Sequence, residues 1–150
     1  MQRFDSSTIL SIWVLTVLTL SGCAQVQRPI SPAESYLNRG VVHEKKGRHE
    51  KAISNFDEAI KLNPRYAPAY YNRGISYGRK GRHDKAISDF TAAIEINPTY
   101  ARAYLNRASV YFLKGEYEKA WGDVNKLQNS GHQVPPEFLN ALREASGRQE

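Results

Sequence analysis

The side chains able to do chemistry in this chain recur on a fixed ruler. Asn38, Asn72 and Asn106 stand thirty-four residues apart, and each is followed by an arginine: Arg39, Arg73 and Arg107. A side-chain amide holds both a donor and an acceptor. A row of such amides can bond an extended backbone in both directions without reading its side chains; the same amides could instead bond between neighbouring units. For the arginines, the favoured reading is a packed stem with the head in water, with anion recognition as the other. The four histidines are His43, His49, His83 and His132. His49 and His83 occupy equivalent places one period apart, so they do not converge, whereas a metal needs three or four ligands at about 2 Å. Gly40, Gly47, Gly74 and Gly81 fall on the same ruler and form no phosphate loop. Asp57 and Glu58 are adjacent, and adjacent residues do not share a helix face. Cys23, the one thiol, lies near the N-terminus, away from any histidine partner. The expectation is a chain without catalysis, metal or cofactor.

Length and composition set the frame for these side chains. The 150 residues suffice for one domain, and 41% hydrophobic with 24% charged residues is ordinary for a globular chain. A single cysteine rules out an internal disulfide and a cysteine metal cage. The net charge of +6 permits an acidic partner or an anionic surface without demanding either.

Ile9 to Leu20 is a run of apolar and hydroxyl side chains without charge. It is shorter than the roughly 20 residues of a membrane-spanning helix and suits the apolar region of a secretory signal. Leu20-Ser21-Gly22-Cys23 follows, an aliphatic residue and two small ones before the cysteine. This stretch resembles the lipobox of bacterial lipoproteins. The resemblance implies a signal peptide over 1–22, cleavage before Cys23, and lipidation of Cys23. Several acyl chains on one residue anchor firmly where one chain would be marginal. Ala24, in place of aspartate, favours the outer membrane by the same resemblance. Residues 23–32 then read as the lipidated cysteine and a polar tether. The other reading is an uncleaved anchor, since Ile9 to Val26 carries no charge.

The period organises the rest of the chain. Segments 33–66 and 67–100 agree at more than half their positions without a gap, and 101–134 continues the register. Tyr36, Tyr70 and Tyr104 form one column; Gly47, Gly81 and Gly115 another; Ala52, Ala86 and Ala120 a third. Apolar and aromatic residues recur at helical spacing in each unit, first around Tyr70, Gly74 and Tyr77, then along Ala86, Phe90, Ala93 and Ile94. A turn between them holds a glycine suited to a helix C-cap. Glu50, Asp84 and Glu118 open the second helices, where a helix dipole favours an acid. Asn63-Pro64 and Asn97-Pro98 end them.

These columns resemble the tetratricopeptide repeat (TPR) family. Tyr70, Gly74, Tyr77, Ala86, Phe90 and Pro98 match its pattern in the second unit. Tyr36, Gly40, Ala52, Phe56 and Pro64 match it in the first; Tyr104, Ala108, Tyr111 and Ala120 match it in the third, which then drifts to Val124 and His132. The fold expected is all-α, an α-solenoid of three TPR helix pairs plus a C-terminal capping helix. The capping helix lies within 135–150, at Glu137 to Ala145, with Phe138, Leu139 and Leu142 at helical spacing. Stacking is what gives each helix pair a core, and about three units are the minimum.

The resemblance further implies a groove lined by the first helices. Its lining would include Leu37, Asn38 and Val41; Tyr71, Asn72, Ile75 and Arg79; and Arg102, Leu105 and Asn106. The clamp by which some TPR domains hold chaperone tails fits poorly: where it calls for lysine and asparagine, this chain has Leu37 and Val41. Asn72 matches, Arg102 is a conservative change, and Asn106 stands where an arginine is called for. The function implied is a membrane-anchored, non-catalytic adaptor for other proteins or peptides of the bacterial envelope, lipid-anchored and facing the periplasm. Nucleic acid is not expected, for want of a clustered basic stripe. The basic turns Lys46–Arg48 and Lys80–Arg82 read as solvated, with phosphate-bearing lipid as the other reading. The alternative function is a self-associating structural stack, a homo-oligomer without a separate peptide ligand.

Overall fold

A computed structural model describes residues 29–148. Among these described residues seven helices follow one another: α1 (Pro32–Lys45), α2 (His49–Leu62), α3 (Ala67–Arg79), α4 (His83–Ile96), α5 (Ala101–Leu113), α6 (Tyr117–Asn129) and α7 (Pro136–Ser146). The described residues contain no strand. The lipobox, Cys23 and most of the expected tether lie outside the described residues. Among the described residues no helix is long and apolar enough to cross a membrane.

Local chemistry fixes the ends of these helices. Ser31 caps α1, its hydroxyl accepting from the Glu34 N–H at 3.1 Å, and Pro32 supplies a preset φ at the first helical position. The helix therefore starts inside the segment read as tether, one residue ahead of the first repeat's expected boundary. After α1 the Gly47 N–H donates to the Glu44 carbonyl and the Arg48 N–H to the His43 carbonyl, both at 2.9 Å. This is a Schellman turn, and it requires the left-handed φ of +68° that Gly47 adopts. The same pair of bonds recurs at Gly81 and Gly115. Asn63 and Asn97 end α2 and α4 in extended backbone, and their side-chain oxygens accept from the N–H groups of Arg65 and Thr99.

Each pair of helices closes on a small residue facing a large one. An added Cβ at Gly40 would lie 2.4 Å from the Phe56 ring, and one at Gly74 would lie 2.8 Å from Phe90. The third unit has Ala108 and Val124 at the same two places, both fully buried. Its drift from the pattern is thus a volume exchange, a methyl gained on one helix against a ring lost on the other. Between units, Ala93 and Ile94 of α4 meet Ala67 and Ala103, with Tyr71, Tyr100 and Tyr104 around them. At the C-terminal end α7 lays Leu142, fully buried, with Phe138 and Leu139 over Trp121, Val124 and Leu127. It runs one residue beyond the expected cap at either end, and Trp121 Nε1–H donates to Ser146 Oγ at 3.0 Å.

Candidate functional site

Successive first helices contact each other far less than they contact the second helix between them. A groove of about 340 Å³ opens between α3 and α5. Phe90, Ile75 and Val110 bring apolar surface to it; Arg79, His83, Asn106, Ser109 and Leu113 complete it. Gly74 and Gly78 thin the α3 wall. Leu113 is 67% exposed, an apolar side chain that the fold itself leaves uncovered at the groove's edge.

Of the residues read from sequence as groove lining, Ile75, Arg79 and Asn106 share this groove. Tyr71 is not part of its lining but contacts two residues that are, Asn106 and Phe90. Its hydroxyl accepts from Asn106 Nδ2 at 3.1 Å, and its ring stands 4.9 Å from Tyr100 and 6.0 Å from Phe90. Leu105 packs into the C-terminal apolar cluster, and Arg102 is exposed at the start of α5, while Leu37 and Val41 are half-buried on α1. The three asparagines meet three environments. Asn72 Nδ2 donates back to the Pro68 carbonyl of its own helix at 2.7 Å. Asn106 bonds Tyr71, and Asn38 is exposed beside Arg39, Val42 and His43. Asn72 and Asn106 each still offer a ligand the amide oxygen and a second N–H.

The arginine column corrects the sequence reading that its heads lie in water. Arg73 makes a two-pronged ion pair with Asp89, at 2.8 Å from Nε and 2.7 Å from Nη2, and its Nη1 reaches Asp57 at 2.6 Å. Arg107 repeats this with Asp123, at 2.9 and 2.7 Å, and with the Thr91 hydroxyl at 2.8 Å. Both guanidiniums are held protonated more firmly than usual, first by the hydrogen bonds they donate to Asp89 and Asp123, against the pull of burial. Burial pushes the Asp89 carboxyl up against the pull of Arg73. Such a pair fixes geometry more than it adds net stability. Arginine and aspartate sixteen residues apart in two units was the signal available. Arg39 lacks it, because Asn55 stands where the aspartate would be, and its head stacks on Tyr36 at 4.1 Å.

A second polar cluster joins the first two units. Glu44 is buried and accepts from the Ser76 hydroxyl and from His49 Nδ1 at 3.0 Å; Arg79 Nη1 lies 2.9 Å from its other oxygen. Burial raises this carboxyl, but bonds from Ser76 and His49 and the charges of His49 and Arg79 outweigh it and hold it below its ordinary value. The carboxylate sits between the serine and the histidine, so the histidine is not placed to deprotonate the serine, as a nucleophile would need. The cluster orients Arg79 at the groove. Among the described residues no three histidine, cysteine or acidic side chains meet as a metal site.

Of the basic turns, Lys80–Arg82 is paired with the preceding unit, and Lys114 of the third unit follows suit. Lys80 and Arg82 reach Glu50, and Lys114 reaches Asp84 at 2.6 Å. Turn-to-turn ion pairs of this kind were missed because each turn was read by itself.

Three family models match the chain: a tetratricopeptide repeat at residues 67–100, a TPR repeat at 45–81 and another tetratricopeptide repeat at 90–122. Comparison with curated proteins gave no match. Among solved structures, the first TPR of Spaghetti (RPAP3), bound to the HSP90 peptide SRMEEVD, superposes with a TM-score of 0.71 at 24% identity, over 81% of this chain and 96% of that one. The second TPR of Spaghetti, bound to the same peptide, gives 0.64 at 25% identity, over 69% and 96%. The first TPR domain of human RPAP3 gives 0.67 at 26% identity, over 77% and 90%.

Proposed function

The chain is a tetratricopeptide-repeat protein, and from that premise we propose that it is a non-catalytic adaptor. It holds a segment of another protein in the groove between α3 and α5, at a bacterial envelope membrane to which lipid on Cys23 ties it. The observation that carries the reading is the groove itself. It pairs an apolar floor at Ile75, Phe90 and Val110 with the polar groups of Arg79, Asn106 and Ser109. An extended peptide placed there sets an apolar side chain on the floor, and its backbone meets the Asn106 amide and the Ser109 hydroxyl. A peptide bound by a TPR domain 25% identical to this chain supports that ligand class. TPR domains are typically interaction modules without catalysis. Leu37 and Val41, where chaperone-tail binders use polar residues, argue against an acidic tail of that kind as the ligand.

The anchor rests on Leu20-Ser21-Gly22-Cys23 and on the chain having no other cysteine. Ala24, in place of aspartate, favours the outer membrane, the chain facing the periplasm with the residues before Pro32 as the tether.

A crosslinking pull-down from intact envelopes tests both halves. Asn106→Ala with Leu113→Asp, both away from the buried core, should lose the captured partner while the melting curve stays in place; a partner retained by the folded variant overturns the groove. Cys23→Ser should abolish lipid labelling and release the chain from membranes or leave it unprocessed; unchanged labelling overturns the anchor.

A further inference from the structure

The two junctions between successive repeat units share one pattern of polar pairs. The second helix of a unit offers an acid, a large apolar residue three further on, and a polar residue at the seventh place: Glu50, Ile53, Asp57 on α2, then Asp84, Ile87, Thr91 on α4. The next first helix receives them in reverse order. Glu50 takes Lys80 and Asp57 takes Arg73. Asp84 takes Lys114, Thr91 takes Arg107, and Ile87 joins Val110 in one apolar cluster. The last junction keeps part of the pattern, for Arg148 beyond α7 pairs with Glu118 and lies 5.3 Å over the Trp121 ring.

The first unit presents the receiving half of this pattern with nothing described upon it. Arg39, Val42 and Lys46 on α1 and its cap stand where Arg73, Ser76 and Lys80 stand in the second unit. Ser76 and Val110 are buried at the middle place, whereas Val42 is 49% exposed, with Ile30 at 63% beside it. Arg39 and Lys46 meet no carboxylate among the described residues. The residues ahead of Ile30 bring a single acid, Asp5, against the two cations Arg39 and Lys46.

The other end of the molecule does carry acids at that spacing. Glu137 and Glu144 of α7 are exposed, seven residues and so about 10.5 Å apart along one helix face. Neither meets a cation among the described residues. Asn140 lies between them, exposed. We propose that the two ends are complementary and that copies of this chain associate head to tail. In that contact α7 of one copy lies across α1 of the next, Glu137 against Lys46 and Glu144 against Arg39. A contact between two different faces is heterologous: it joins copy to copy in series, into a ring where the rotation between copies closes and into an open chain where it does not. The groove between α3 and α5 takes no part in it, and stacking places successive grooves in a row.

Zero-length carbodiimide crosslinking of the full chain in membranes tests this directly, because it joins only carboxylates and amines in contact. Glu137 and Lys46 belong to the last and first helices, so a link between them joins two molecules. The expected result is a ladder of dimer, trimer and higher species carrying the Glu137–Lys46 link, fading as salt is raised. R39E with K46E should remove the ladder, and so should E137K with E144K, since each leaves like charges facing. Mixing the two variants should restore it, with the link now between residues 46 and 137 of opposite partners. All four positions are exposed, so the folds are expected to survive, with helical circular dichroism as the check. A chain that stays uncrosslinked, a ladder that either variant leaves intact, or a Lys46 that links only to a foreign protein would overturn the proposal.

Discussion

At the residue scale, two small contacts govern how closely the helices approach. Gly40 faces Phe56 with no room for a methyl, since a Cβ would stand 2.4 Å from the ring. Gly40→Ala should therefore destabilise the chain by about 1–3 kcal/mol, and Gly40→Ala with Phe56→Val should recover part of it, as Ala108 with Val124 does in the third unit. Thermal melts of the three proteins check this; equal melting temperatures for wild type and Gly40→Ala would contradict it. Glu44 makes a pH prediction. Its carboxyl is held below the ordinary 4.5 in the folded chain, burial notwithstanding, by Ser76, His49 and Arg79. A group depressed in this way stabilises fully above the unfolded value, and that stability drains away as pH falls through the lower folded value. Urea titrations at stepped pH below 4.5 should show wild type losing stability faster than Glu44→Gln. Parallel curves would refute the assignment. Nothing in the sequence singles out Ser76 or Glu44, because their contact spans 32 residues and neither falls on a repeated column.

At the scale of elements, the helices, turns and caps were legible because each is set by neighbours in sequence. The asparagine–proline stops, the glycine turns and the apolar stripes all sit within one unit. What was not legible is which face of a helix its neighbour covers. The arginine heads were expected in water, yet Arg73 and Arg107 each bind an aspartate on the facing helix, because the two helices close with these residues at the same height. Arg73 and Asp89 are both largely buried, so removing one partner leaves a charge without compensation. Arg73→Ala should cost about 3–5 kcal/mol, while Arg73→Met with Asp89→Leu should cost far less. Chemical denaturation of both variants decides it; a double variant no more stable than the single would show that the pair is worth more than its geometry. The cap makes a parallel case. Leu142 is fully buried against the last unit, and Leu142→Ala should cost about 2–5 kcal/mol, read as an earlier melt; an unchanged melt would mean that α7 does not stabilise the stack.

At the scale of the whole molecule, the stack was foreseeable from the period, whereas the groove was only partly so. Ile75, Arg79 and Asn106 lie along it, while Leu105 packs into the C-terminal apolar cluster and Asn38 lies in a depression of its own. Spacing along a helix does not say which face its neighbour covers; that is settled by packing between units, as where the Tyr71 ring meets Tyr100 and Phe90. The proposed seat of a partner segment is the groove between α3 and α5. A photo-crosslinking residue placed at Leu113, exposed at the groove's edge, tests it most directly beside the same residue at Leu62, which is 51% exposed at the end of α2. In intact envelopes the account predicts one discrete protein partner captured from position 113 and not from position 62, and lost on Asn106→Ala. Capture that is equal at both positions, or indifferent to Asn106, would contradict it.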